Sequence, residues 1–185
     1  MANYETLICR RSTFAVSMWV SYIYVLAAMQ ISSIMELHKL HFWTSHHQFY
    51  IADSLSPFRT DSDMFWTTQA QVDKLAIEDG VLGVGTECYG DVRADLVVLE
   101  NEPDEKDFTI YDHVVEGSLQ LPSGKLKVIP CTSNEPALQL TLQSTTYRVR
   151  IYSSNLASVD GDSGDDYYQI RLWPAQYAER KVLKC

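Results

Sequence analysis

The sequence predicts a mostly-β domain: a β-sandwich or partly open barrel of about seven to eight strands, with one short helix. Three observations predict it. Apolar and polar side chains alternate in seven separate runs after residue 46. Turn chemistry separates most of these runs, and closely spaced turns of this kind mark all-β architectures. The chain is 46% hydrophobic and 21% charged, which suits a globular chain and argues against disorder.

The strand runs follow from the two-residue period of an extended chain, whose successive side chains face opposite sides. His47–Ile51 opens the series, and Val92–Val98 follows. Ile110–Leu119, Lys125–Ile129 and Leu138–Gln143 come next. Tyr147–Ile151 and Tyr168–Leu172 close it. Pro122-Ser123-Gly124 reads as a tight turn, Ser133-Asn134-Glu135-Pro136 as a break, and Asp160–Asp166 as a longer polar loop. A helix is expected from about Thr67 to Glu78. Asp63 or a nearby polar residue would cap it, Val72, Leu75 and Ala76 would form its buried stripe, and Gly80 would end it.

Residues 1–35 differ from the rest. Ser12 to Met35 contains no charged side chain, and Arg10 and Arg11 precede it. Length and flanking charge fit a membrane anchor or a signal peptide, with residues 13–34 as the apolar span. An upstream extension, with a native start near Met35, and a buried helix are the competing readings. The acidic domain proper is expected at residues 36–185. Its expected compartment is the cytoplasm, with the inner membrane or the periplasm as the alternative if the apolar segment is an anchor or a signal.

Net charge is −9, and Arg10, Arg11 and Glu5 contribute +1 of it, so residues 36–185 carry −10. Such a field repels nucleic acid and anionic membrane and attracts basic partners. Cys9, Cys88, Cys131 and Cys185 form no C-x-x-C pair, so zinc is not expected. A reducing compartment fits this usage, and a Cys88–Cys131 disulfide is left open.

No catalytic constellation stands out, and no cofactor is expected. His46 and His47 would lie on opposite faces of a strand, and His38 and His41 lack regular strand geometry for chelation. Asp160–Asp166 has the glycine of a calcium loop one position early and lacks the bidentate Glu. In Gly80–Gly85 a helix would precede and strands follow, the reverse of a dinucleotide fingerprint, so the glycines are expected to permit a bulge or close packing. Arg148 and Arg150 share one face of one strand, the usual outer face of a sandwich strand. The acidic surplus concentrates in two stretches. Glu102, Glu105, Asp104 and Asp107 lie in one, and Asp160, Asp162, Asp165 and Asp166 in the other. Two such loops at one end of a sandwich would make a shared anionic surface for a basic partner.

Several segments resemble known proteins. Tyr147–Tyr152, the acidic Gly/Asp loop and Asp166–Pro174 resemble the C-terminal signature of small bacterial proteins encoded beside toxins. His46–Ile51, the helix after it, and Asp79-Gly80-Val81 are similar to the start of the competence protein J family. The resemblance spans about residues 36–175. It implies a β-sandwich-like inhibitor of a secreted or surface nuclease. The leading expectation is therefore an immunity or inhibitor protein, not an enzyme, that neutralises a cognate basic toxin or nuclease domain through the eight acidic residues named above. The alternative is a small-ligand or carbohydrate-binding sandwich with Trp66, Trp173 or the tyrosines as stacking platforms.

Overall fold

The computed structural model describes residues 36–57, 60 and 64–185. The expectations for residues 1–35, and the cap at Asp63, fall outside these residues. Eleven strands and one short α-helix are described: β1 Leu37–Trp43, β2 Gln48–Asp53, α1 Thr68–Val72, β3 Leu75–Glu78, β4 Val81–Gly85, β5 Asp91–Val98, β6 His113–Leu121, β7 Lys125–Pro130, β8 Leu138–Thr141, β9 Thr145–Ser154, β10 Tyr167–Pro174 and β11 Lys181–Lys184. One sheet runs β1-β5-β10-β9-β6-β11, and the other runs β3-β4-β2-β7-β8. Within the first, β5 and β10 are parallel, whereas the other pairings are antiparallel.

The two sheets bury one apolar core between them. Tyr147, Val149 and Ile151 of β9 and Tyr168, Ile170 and Leu172 of β10 face Phe49 and Ile51 of β2, Leu82 and Val84 of β4, and Leu126 and Val128 of β7 across one cluster. Each of these inward faces comes from a run with period two, and that is why the alternation in the sequence located the strands. The seven expected runs match β2 and β5 through β10 to within a few residues. The third run starts later than expected, at His113, because Phe108–Asp112 turns before pairing begins, with Tyr111 N donating to Phe108 O.

The expected helix over 67–78 is corrected. Only Thr68–Val72 is helical, with Thr67 as the N-cap, its Oγ1 accepting from Ala70 N at 3.2 Å. Lys74 takes a left-handed φ of 52°, and Leu75–Glu78 then pairs with Val81–Val84 as a hairpin. The Asp79-Gly80 turn decides the matter: Gly80 holds φ +77°, and Asp-Gly between two apolar runs is a hairpin signal. Leu75 and Ala76 are buried, but as strand residues, and Val72 is exposed. The strands β1 and β11 were not expected either.

Both outer faces carry a cover. On the five-stranded sheet, Phe65 and Ala70 pack over Tyr50, Ala52, Ala76 and Val81, with Trp66 at the edge of the cluster. Gly83 makes this possible, since a Cβ there would stand 2.8 Å from both the Phe65 and the Trp66 ring. On the six-stranded sheet, the segment between β5 and β6 supplies Phe108 and Tyr111, which pack on Val114 and Tyr152.

Candidate functional site

The two acidic stretches have different fates, and the topology explains why. Because β5 and β10 are parallel, β5 ends at the opposite end of the sheet from the β9–β10 loop. The chain from residue 99 to 112 must therefore return along the sheet's outer face to reach the start of β6. It does so as a strap over three arginines. Arg150 of β9 lies directly opposite Arg171 of β10 in the register, and Arg148 is two residues away on the same face. Three neighbouring cations on a covered surface require counter-charges.

Glu116 of β6 bridges two of them: its Oε2 accepts from Arg148 Nε at 3.1 Å, and its Oε1 accepts from Arg150 Nε. The strap supplies the others. Glu102 accepts from Arg150 Nη2 at 3.0 Å, and Glu105 from Arg171 Nη1 at 2.9 Å. Arg150 also stacks over Trp173 (5.2 Å) and Phe108 (5.6 Å), and Arg171 over Tyr152 (4.5 Å). Arg148 completes its set by donating to Ser118 Oγ and to Ala178 O of the C-terminal segment. Arg148 and Arg150 are thus on the outer face, as expected, but both are buried. Burial disfavours a charged Arg150, yet its bonds to Tyr152 and Glu116 outweigh that and push its pKa up.

Asp104 and Asp107, also on the strap, are exposed. Asp107 Oδ1 accepts from Thr109 N at 2.9 Å, and that backbone bond holds its carboxyl below the usual carboxylate value. The strap ends at Asp112, whose Oδ2 accepts from Leu156 N at the start of the β9–β10 connection. The end of the strap is thereby tied to the start of the β9–β10 connection, while Glu102 and Glu105 of the first stretch lie over the sheet's face.

The second stretch, between β9 and β10, is a self-braced loop. Asp160 and Ser163 exchange two backbone bonds, and Ser158 Oγ accepts from Asp165 N. Asp165 pairs with Arg93 at 3.1 Å, with both side chains well exposed. Asp160 and Asp162 point no carboxylate at any cation among the described residues and are exposed. Asp166 differs. It is buried, and its Oδ2 accepts from Cys88 N at 3.1 Å and from Tyr168 Oη at 2.7 Å. Burial, then this bond, pushes the Tyr168 phenol far up. Asp166 anchors the loop, while its neighbours face water.

Beside this loop lies a cluster of rings. His46 and His47 were expected on opposite faces of a strand. They instead occupy the link between β1 and β2, both in the left-handed region (φ 56° and 53°). Both rings meet Tyr89 edge-on, at 6.3 and 5.4 Å, and Trp43 meets Tyr89 at 5.9 Å. His38 and His41 do sit in a regular strand, β1, three residues apart and hence on opposite faces. Among the described residues, no group of three or more His, Cys, Asp or Glu is placed to hold a metal ion. Cys88 and Cys131 are both buried free thiols.

A cavity of about 350 Å³ opens beside His46, His47 and Gln48, with Trp66, Lys74 and Thr86 on its walls. Trp66 Nε1 is buried without a hydrogen-bond partner. The wall is rich in donors and would suit a small acceptor group. Trp173, the other tryptophan named as a stacking platform, is buried beneath Arg150. Trp43, which is 57% exposed, was not singled out from the sequence. Its position in an alternating run at the domain's start was the available signal. Among the described residues, no helix is long and apolar enough to cross a membrane.

Comparison with known proteins places the fold. No family model matches the chain, and no curated protein matches its sequence. Two solved structures are similar. One is ComJ, inhibitor of the DNA degrading activity of NucA, from Bacillus subtilis: TM-score 0.60, 14% identity, covering 77% of this chain and all of that one. The other is described as crocagin biosynthetic gene J: TM-score 0.48, 19% identity, covering 76% of this chain and 98% of that one. The chain has the ComJ fold.

Proposed function

We propose that this protein is an inhibitor or immunity protein that binds and neutralises a cationic nuclease domain, and that it works by occupation rather than by catalysis. The observation that carries the reading is a ComJ-like sandwich in which four arginines are taken up by acids of the same domain. Arg148, Arg150 and Arg171 are consumed by Glu116, Glu102 and Glu105 on a covered face, and Arg180 by Asp73. Each pair removes one positive and one negative charge, so the domain keeps its excess of acidic over basic groups, and Asp160 and Asp162 carry part of it in water. A nuclease that grips phosphate needs a basic cleft, and an anionic surface fits it. In this reading the contact is made by Asp160, Asp162 and Asp165 of the β9–β10 loop and by Asp104, Asp107 and the exposed flank of Glu102 on the strap. Glu105 and Asp166 hold those segments in place.

The test is association kinetics and DNA-degradation assays with a nuclease that co-purifies with this chain. Asn replacements at Asp160, Asp162 and Asp165, and Gln or Asn replacements at Glu102, Asp104 and Asp107, are expected to slow association. The deficit should shrink as the Debye length falls to about 8 Å near physiological salt. A chain that neither binds nor inhibits that nuclease removes the reading. The small-ligand alternative rests on a separate observation, the cavity beside Trp66. Calorimetric titration with neutral sugars tests it, with Trp66→Ala as the control.

A further inference from the structure

Trp43, Tyr89 and the His46-His47 link form an exposed aromatic end face, and the acidic β9–β10 loop borders it. Gly90 lies between the two: a Cβ placed there would stand 3.7 Å from Trp43 Nε1 and 3.3 Å from the Asp162 carbonyl. Cys88 Sγ ties the same carbonyl down at 3.0 Å. The platform is stiff. Thr44 and Ser45, both buried, fasten the link that carries the histidines. Thr44 Oγ1 donates to Gln48 O at 2.5 Å and accepts from Cys131 N at 2.8 Å. Ser45 Oγ donates to Cys131 O at 3.3 Å. His47 O accepts from Thr86 N, and the His47 ring meets Glu87 O at 3.0 Å. Two consecutive non-glycine residues in the left-handed region are costly, and such strain persists only where the surroundings over-determine it.

A large, half-exposed indole on a rigid mount has the character of an interface anchor, because little conformational entropy is lost when a partner covers it. The local charge says which partner. Asp165 is taken by Arg93, Glu87 by Lys74, and Asp91 lies 3.8 Å from His41. Asp160 and Asp162 remain without a cation among the described residues. An aromatic face bordered by the backbone of the loop that carries Asp160 and Asp162 suits a planar cation, which stacks on the indole with its charge toward that acidic loop. The protein already uses this chemistry internally, where Arg150 stacks on Trp173 and Arg171 on Tyr152.

We infer that the Trp43–Tyr89–His46 platform, bordered by the acidic β9–β10 loop, is a docking site for an arginine side chain presented by a basic protein partner. The inference rests on the inhibitor reading only for the identity of that partner. The test titrates the full-length chain with a short oligoarginine peptide and with oligolysine of equal length, following the indole N–H resonances by NMR. Oligoarginine is expected to shift the Trp43 resonance and to bind more tightly than oligolysine. Trp43→Ala should weaken oligoarginine by about tenfold and remove the preference, and Trp43→Phe should restore part of it. Asp160→Asn with Asp162→Asn should weaken both peptides. An unmoved Trp43 resonance, or an unchanged arginine preference in Trp43→Ala, overturns the inference. So does concentration-dependent self-association abolished by Trp43→Ala, which would make the platform a contact between copies of this chain. The co-purified nuclease separates the two claims. If Trp43→Ala inhibits it as well as the parent chain does, the nuclease is not the platform's partner and the inhibitor reading stands. If the peptides behave as expected but the nuclease is not bound, the inhibitor reading falls and the platform stands.

Discussion

The strap across the six-stranded sheet and the loop between β9 and β10 look alike in composition, yet they do opposite work. In the strap, Glu102 and Glu105 reach down to arginines that the sheet register sets side by side. In the loop, Asp160 and Asp162 reach outward to nothing in the described domain, while Asp166 alone turns in. Acidic residues are thus not interchangeable parts of one patch. A carboxylate opposite a buried guanidinium is part of the fold, because removing it strands a desolvated charge. A carboxylate in water costs the fold little to lose and is free to meet a partner.

The largest effect should come from the hub of the buried network. Glu116→Ala leaves both Arg148 and Arg150 without their shared partner. It is expected to cost about 3–5 kcal/mol of stability in urea unfolding. A loss below about 1 kcal/mol would show that the strap's own acids suffice.

Asp166→Ala should rank next. It leaves Cys88 N and Tyr168 Oη without an acceptor in a buried setting, for an expected loss of about 2–3 kcal/mol. The neighbouring Asp162→Ala should stay within about 0.5 kcal/mol of the parent chain. Equal losses at the two positions would erase the distinction between anchor and rim within this loop.

On the strap, a double-mutant cycle between Glu105 and Arg171, each about a quarter exposed, should give a coupling of about 1 kcal/mol. The Glu102–Arg150 cycle should give less from the glutamate's side, because Glu102 is 54% exposed. A coupling of zero at Glu105 would mean that the strap is held down by its other contacts, Phe108 and Tyr111 among them.

Acid should destabilise the domain in two steps. Burial holds the His113 imidazole below its usual value, with its Nε2 on Asp73 O. The unfolded chain therefore takes up a proton first. Stability from this site is complete above about pH 6.5 and declines as pH falls below that value toward the folded pKa. Asp53 follows at lower pH. Burial alone would raise its pKa, but the N–H groups of Ser123 and Leu55 outweigh it and lower it. Its contribution is present above about pH 3.9 and disappears as pH falls through the folded pKa. Melting temperature against pH, compared with His113→Gln and Asp53→Asn, checks both. A first step that survives His113→Gln would assign it elsewhere.

The strand alternation was legible because burial on one face of a sheet is written into every second residue. Tyr147–Ile151 and Lys125–Ile129 could be placed without knowing their neighbours. The 67–78 segment reads as helix from sequence because Val72, Leu75 and Ala76 also satisfy a helical stripe. Only pairing of Leu75–Glu78 with Val81–Val84 favours strand, and pairing is a non-local property, although Asp79-Gly80 carried a local hint. β11 and β1 escaped for a related reason: each is an edge strand and needs only one covered face.

By itself, then, the sequence determined a two-layer mostly-β domain with an acidic excess, because period and composition are properties of the chain. Which acids are free was decided by the tertiary structure. The parallel pairing of β5 with β10 sends residues 99–112 back across the sheet, and the register of β9 with β10 sets Arg150 against Arg171 beneath them. No local pattern distinguishes Glu105 from Asp104 or Asp166 from Asp165. A carboxylate's surroundings are set by strands tens of residues away, and those surroundings alone decide whether its charge belongs to the fold or to a partner.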